Sequence, residues 1–340
     1  MTESPPNDEA DRWLAPGVPR YELTAIDGSG LLLDLDSGQI ASLNRTAFLI
    51  WERYLGGASR EEVASFLVAE YAMPAATARR DVTLALTIPK EHSKFPDQGL
   101  RYQVDSHGRC IAVTSDGPVL ELGRAGDHVI SLRSFSPPIL ESYLCAAVPK
   151  LLTLGGETVL HASAVRVGAE TIAFLGASGA GKTTTAAAFG ALGHQVLAED
   201  MLLLRAQPDG VFVPLQIEGA TKTWAAQAAL LLAESGGARV AFVPPSSEPH
   251  APIAPLTKVN FLDRRRRQGS TVVRRSLSRA ETVGLLFANT FASSIEPAAR
   301  RSLLAKVVAV ATAVSGYELT VPEGLQNLGR AAAIGHGFID

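Results

Sequence analysis

The chain has 340 residues, 46% of them hydrophobic, and a formal net charge of −3. That size and composition suit one large domain plus a small one, and they predict buried cores rather than a disordered chain. Balanced charge excludes the broad basic field of a general nucleic-acid binder, while the two cysteines, Cys110 and Cys145, make no disulfide framework and are not spaced like a metal site.

Residues 1–20 are expected to form a flexible tail. Its first nine residues are acidic and proline-bearing, without the basic and then apolar regions of a signal peptide. No segment reaches the roughly 18 uninterrupted apolar residues of a membrane helix; the best candidate, 303–314, is short and contains Lys306. A cytoplasmic protein with reduced thiols and no membrane partner is the expectation.

Residues 21–90 read as a compact unit. Leu31-Leu32-Leu33-Asp34-Leu35-Asp36 and Ile40-Ala41-Ser42-Leu43 are of strand type, joined by the turn Ser37-Gly38. Phe48, Trp51 and Leu55 then recur at helical spacing until Gly56-Gly57 stops the pattern. Ser59, with Glu62 three residues later, is a capping box that opens a second helix. Pro74 begins a third, through Ala78, Val82 and Leu86. Two short strands and three short helices make a small winged-helix-like unit.

The run LLLDLDSGQIASLNRTAFLIWERYLGGASREEVASFLVAEY resembles the PqqD-like family in its order of strand, turn, Leu-Asn, helix with Trp, Gly, helix. Members of that family bind the leader segment of ribosomally made peptides and present it to a modifying enzyme. The resemblance therefore implies β-augmentation, a peptide strand added to an exposed sheet edge, with a precursor or leader peptide and a modifying enzyme as partners. The bland alternative is a structural appendage kept for docking.

Residues 91–99 are polar and proline-containing, a linker. The domain 100–340 opens with short strands at 101–104, 110–113 and 118–122 and an apolar helix at 139–154. Thr171-Ile172-Ala173-Phe174-Leu175 is a strand-type run that leads directly into Gly176-Ala177-Ser178-Gly179-Ala180-Gly181-Lys182-Thr183-Thr184 and then a helix-forming segment. This is G-x-x-x-x-G-K-[ST] in its strand, loop, helix context. Glycines let consecutive amides turn inward around an anion, and a helix N-terminus adds about half a positive charge. Lys182 can reach the β- and γ-phosphates of ATP, and the Thr183 hydroxyl can ligate Mg²⁺.

Gly193-His194-Gln195-Val196-Leu197-Ala198-Glu199-Asp200 reads as a turn and a strand ending in two carboxylates. A helix over 182–192 is a short crossover that returns the chain to a strand beside the first. Both acids then fall at the C-terminal strand ends, where open α/β sheets bind ligands. One can hold Mg²⁺ and the other can accept a proton from an attacking hydroxyl; otherwise they cap the next element. Residues 160–167 alternate and meet 171–175 through the turn Gly168-Ala169. A hairpin centred there sets His161 opposite Gly176, at the mouth of the loop, where it can polarise a phosphate or orient a base.

Together, His161, the loop through Lys182-Thr183, Gly193-His194 and Glu199-Asp200 resemble the catalytic core of HPr kinase/phosphorylase. The resemblance implies a phosphoenolpyruvate-carboxykinase-like P-loop fold and transfer of the ATP γ-phosphate to a serine. In that pattern Lys182 binds phosphate, Thr183 and Asp200 bind the metal, Glu199 is the general base and His161 assists. Two features depart from it. Glu199 stands where the family has an aspartate, and the later Glu-x-Arg-Gly-Leu-Gly signature has no counterpart, since 217–222 read Ile-Glu-Gly-Ala-Thr-Lys. HPr as substrate and the reverse phosphorylase reaction are therefore not implied. Relatives are often hexameric, which leaves a homo-oligomer open.

The run Asp263 to Arg267, with Arg274 and Arg275, is expected to be a solvated turn between strands at 259–262 and 271–273, and the helices at Trp224 and 303–314 to be core. The leading expectation is an α/β P-loop kinase acting on a hydroxyl, a serine of a lasso-type precursor peptide held by the PqqD-like unit. Tethering would raise the local peptide concentration to about millimolar with a short linker. The alternatives are an ATP-sensing adaptor that presents peptide without phosphotransfer, and a small-molecule kinase.

Overall fold

The computed structural model describes residues 20–87, 101–104, 110–114, 117–122, 128–130, 149–150, 152–215, 240–242, 254–263, 272–291 and 297–320. The chain divides into two compact units, Met1–His92 and Ser93–Asp340.

The first unit begins with three antiparallel strands, β1 (Tyr21–Ile26), β2 (Ser29–Asp34) and β3 (Ile40–Leu43), in that order across the sheet. The sequence reading expected two. Asp27 and Gly28, at φ 48° and 77°, form the two-residue connection between β1 and β2, the geometry that favours Asp-Gly in tight hairpins. A glycine inside β2 has a separate cause. A Cβ on Gly30 would stand 2.1 Å from the Phe48 ring, so only glycine lets the strand run against the following helix.

Helices α1 (Arg45–Leu55), α2 (Arg60–Tyr71) and α3 (Ala75–Ala85) start where capping chemistry dictates. Asn44 accepts from the Ala47 N–H, and Ser59 and Glu62 complete their reciprocal box. Ile50, Val63, Ala64, Leu67, Ala78 and Val82 pack into one core. Trp51 joins helices to sheet: its ring lies 5.1 Å from that of Tyr21, and its Nε1 donates to Ala85 O at 2.8 Å.

In the second unit, β4 (Arg101–Val104), β5 (Cys110–Thr114) and β6 (Gly117–Leu122) form one antiparallel sheet, and β7 (His128–Ile130) pairs with β14 (Val240–Phe242). A third sheet has the order β13 (Phe212–Leu215), β12 (Leu202–Ala206), β8 (Thr158–Leu160). The main sheet has six strands: β9 (Ser163–Val167), β10 (Glu170–Leu175), β11 (Gln195–Ala198), β15 (Leu256–Asp263), β16 (Val273–Ser276) and β17 (Ser315–Thr320). Their spatial order is β11-β9-β10-β15-β17-β16. β10, β15 and β17 are parallel neighbours, and β9 runs antiparallel between β10 and β11.

Helices cover both faces. Ala186 and Phe189 of α4 (Lys182–Ala191) pack with Val165, Ile172, Phe174, Leu262 and Leu319. On the other face, α5 (Arg279–Ala288) lies so close to β17 that a Cβ on Gly316 would meet Thr282 Oγ1 at 2.1 Å. α6 (Pro297–Ala313) buries Leu303, Leu304, Val307 and Val310, while Lys306 donates to Gly156 O. No helix among the described residues is long and apolar enough to cross a membrane.

Several expectations change. β11 does not lie beside β10, because β9 is between them. The single strand expected over 160–167 is two, broken at His161-Ala162 where the chain passes from the third sheet to the main one. β16 pairs with β17, not β15, so the arginine run does not close a hairpin between its flanking strands. Residues 1–19, 88–100, 216–239 and 264–271 lie outside the described residues, as does most of 139–154. The expected linker, Trp224 helix, 217–222 segment and Arg264–Arg267 run lie there, as does the expected 1–20 tail except for Arg20, which is not free but paired with Asp34 at 2.8 Å.

Candidate functional site

The loop between β10 and α4 is shaped by three glycines at positive φ: Gly176 at 142°, Gly179 at 72° and Gly181 at 100°. At Gly176 sterics reinforce the backbone, since a Cβ would stand 2.8 Å from Leu262 O at the end of β15. Among the described residues, the N–H groups of Ser178, Gly179 and Gly181 donate to no backbone carbonyl. Those of Lys182, Thr183 and Thr184 lie in the first turn of α4, where a helix supplies no internal acceptor. Two amides in the loop are already engaged. Ala180 N–H donates to Ala177 O at 3.0 Å, and Gly176 N–H donates to Asn289 Oδ1 at 3.2 Å.

Lys182 is only 6% exposed. Its Nζ folds over the loop, donating to Gly176 O at 3.0 Å and Ala177 O at 3.4 Å. Its carbonyl accepts from Ser163 Oγ of β9 at 2.8 Å, which pins α4 to the sheet. Thr183 and Thr184 are exposed beside it.

The acidic pair is brought to this loop. Glu199 and Asp200 follow β11, and Thr183 Oγ1 lies 3.5 Å from Glu199 O. His161 Nδ1 lies 3.4 Å from Asp200 Oδ1, with the imidazole 15% exposed and the carboxylate 36%. The His161 and Phe291 rings stand nearly perpendicular, their centroids 6.2 Å apart. Among the described residues, the Glu199 carboxylate has no hydrogen-bond or ion-pair partner.

One feature of the topology produces this convergence. β9 pairs with β11 up to Ala164↔Ala198, and β8 pairs with β12 from Leu160↔Leu202 in the same register. The paired strands thus change sheets together, and His161 and the acids fall in the interruption, where the backbone leaves the ladder. The expected hairpin register holds as far as Ser163↔Phe174. It does not extend to His161 and Gly176, because Asn289 stands there and accepts from both backbone amides. Asn289 was missed by sequence reasoning, and no local motif marks it.

A hydroxyl and a carboxylate are hard oxygen donors of the kind Mg²⁺ takes, usually with only one or two protein carboxylates beside substrate phosphates. Thr183 and Asp200 fit that chemistry. Among the described residues, no group of three or more His, Cys, Asp or Glu side chains offers a denser metal site.

The family model for PqqD, described as coenzyme PQQ synthesis protein D, matches residues 30–88. That span takes in β2 from Gly30 onward, β3 and the three helices of the first unit. No curated protein matches the chain. The chain is therefore a mixed α/β protein with an N-terminal PqqD domain.

Proposed function

We propose that the chain is an ATP-dependent phosphotransferase of HPr-kinase-like P-loop type, whose PqqD domain holds a ribosomally made precursor peptide while a hydroxyl of that peptide, a serine of a lasso-type precursor, is phosphorylated. The observation that carries the reading is the meeting of the Gly176–Thr184 loop with Glu199, Asp200 and His161. An anion-binding loop alone serves any nucleotide protein; a carboxylate beside it with no partner among the described residues serves transfer.

The glycine-shaped amides and Lys182 grip the triphosphate, and α4 adds its N-terminal partial charge. Mg²⁺, held by Thr183 and Asp200, would supply charge neutralisation at the phosphate oxygens. Glu199 accepts the proton of the serine hydroxyl as its oxygen bonds to the γ-phosphorus; the bond from that phosphorus to the bridging oxygen breaks, and ADP leaves. His161 orients Asp200. The peptide is recruited as a strand added to the edge of the β1–β3 sheet, where backbone hydrogen bonds give affinity.

Glu199→Gln tests the assignment. It keeps the shape of the side chain and its distance from the metal ligands, so Mg-ATP affinity is expected to persist. Phosphate transfer is expected to fall by on the order of 10²-fold or more. Unchanged transfer would remove Glu199 from the role of base.

A further inference from the structure

Helix α5 ends at Asn289, which is 4% exposed and holds three parts of the second unit at once. Its carbonyl accepts the His161 N–H at 2.7 Å. Its side-chain Oδ1 accepts the N–H of Gly176, the first residue of the phosphate loop, at 3.2 Å across 113 positions of sequence. Its Nδ2 donates to Leu285 O at 2.8 Å, one turn back in the same helix. Gly176 N–H needs an acceptor and the Leu285 carbonyl needs a donor, so only one orientation of the amide satisfies both. Aspartate has the acceptor without the donor, and alanine has neither.

The place matters as much as the bonds. Pairing of β9 with β10 stops at Ser163↔Phe174, and pairing of β8 with β12 stops at Leu160↔Leu202. Ladder hydrogen bonds therefore hold neither His161 nor Gly176, while Thr290 bridges Leu160 on the near side of the gap. Resting on the phosphotransferase reading, we propose that Asn289 is a positioning residue: it fixes the mouth of the phosphate loop against the His161–Asp200 pair, so that the phosphate-gripping and acid-bearing halves of the site stay in register. It touches neither phosphate nor acceptor and acts through Gly176 and His161.

Four full-length proteins test this: wild type, Asn289→Ala, Asn289→Asp and Thr290→Val. Each is assayed for Tm, Mg-ATP affinity and kcat per folded molecule. Thr290 Oγ1 donates to Phe287 O at 2.6 Å at the same helix end without touching the loop, so its loss reports stability alone. Thr290→Val is expected to lower Tm and leave affinity and kcat unchanged. Asn289→Ala is expected to weaken Mg-ATP binding on the order of 10-fold, because the half-buried Gly176 amide loses its acceptor, and to lower kcat as well. Asn289→Asp has the same shape but no donor, and loses the bond to Leu285 O that orients the side chain toward Gly176; it is expected to move both quantities in the same direction, and is the readout should the alanine variant fail to fold. Variants at 289 that match Thr290→Val, with lower Tm and unaltered affinity and kcat, would overturn the positioning role while wild-type activity keeps the phosphotransferase reading intact. Wild type without Mg-ATP affinity would overturn both.

Discussion

Asp200 and Asn260 are both polar side chains carried by the second unit, yet their surroundings differ. Asp200 is partly exposed and lies against His161. Asn260, on the central strand β15, is wholly buried, and among the described residues neither its Oδ1 nor its Nδ2 has a hydrogen-bond partner. It lies level with Phe174 on β10. An unsatisfied buried amide costs about 1–3 kcal/mol, and leucine offers similar volume without polar atoms. Asn260→Leu is therefore expected to stabilise the protein by about that amount, read as a raised midpoint in denaturant unfolding; a lowered midpoint would show that the amide is needed. At this scale the sequence was most legible where a structural motif is contiguous. The three glycines, Lys182 and Thr183 fall in one run, so the loop could be read directly. Asn289 could not, because its meaning depends on a contact between distant residues that only the fold creates.

Individual elements were legible when their ends carried local chemistry. The Ser59–Glu62 box, Gly56-Gly57 and Pro74 each mark helix boundaries that the structure keeps. Strand β1 is absent from the sequence expectation, although Asp27-Gly28 after the alternating run 21–26 is a hairpin signal. The joint change of sheet by β8–β9 and β11–β12 had no local signature, since it depends on strand pairing across the unit. The β2–β3 turn carries a prediction of its own. Burial opposes ionisation of Asp34, but hydrogen bonds from Arg20, at 2.8 Å for the shortest, and from the Asp36 N–H at 2.9 Å outweigh it and hold the carboxyl below its ordinary value. A lowered native pKa means stability that is present above the ordinary carboxylate value of about 3.9 and is lost as pH falls through the native one. Hydrogen-exchange protection of β2 and β3 in the full chain should fall in that acid window. Asp34→Asn should be less protected at neutral pH by about 1.5–3 kcal/mol, a charged hydrogen bond's worth, with the difference from wild type shrinking as pH drops below about 4. A difference that stays constant into acid would mean that the Asp34 charge contributes nothing.

Across the whole molecule, two units with different chemistry share one chain. On the proposed reading, a peptide held by the first is kept at high local concentration for the second, so the acceptor hydroxyl needs little affinity of its own. Removing residues 1–90 is expected to weaken binding of the precursor peptide while Mg-ATP affinity persists; peptide affinity that survives intact would end the recognition role of the PqqD domain. The decisive reaction can be weighed on a balance of mass. Full-length protein is incubated with Mg-ATP and a serine-bearing lasso-type precursor peptide, and the peptide is then analysed by mass spectrometry. One added phosphate on a hydroxyl residue, present with wild type and lost with Glu199→Gln, is the expected result. A peptide that gains no phosphate, although the protein binds both it and Mg-ATP, would contradict phosphotransfer and leave a nucleotide-dependent adaptor instead.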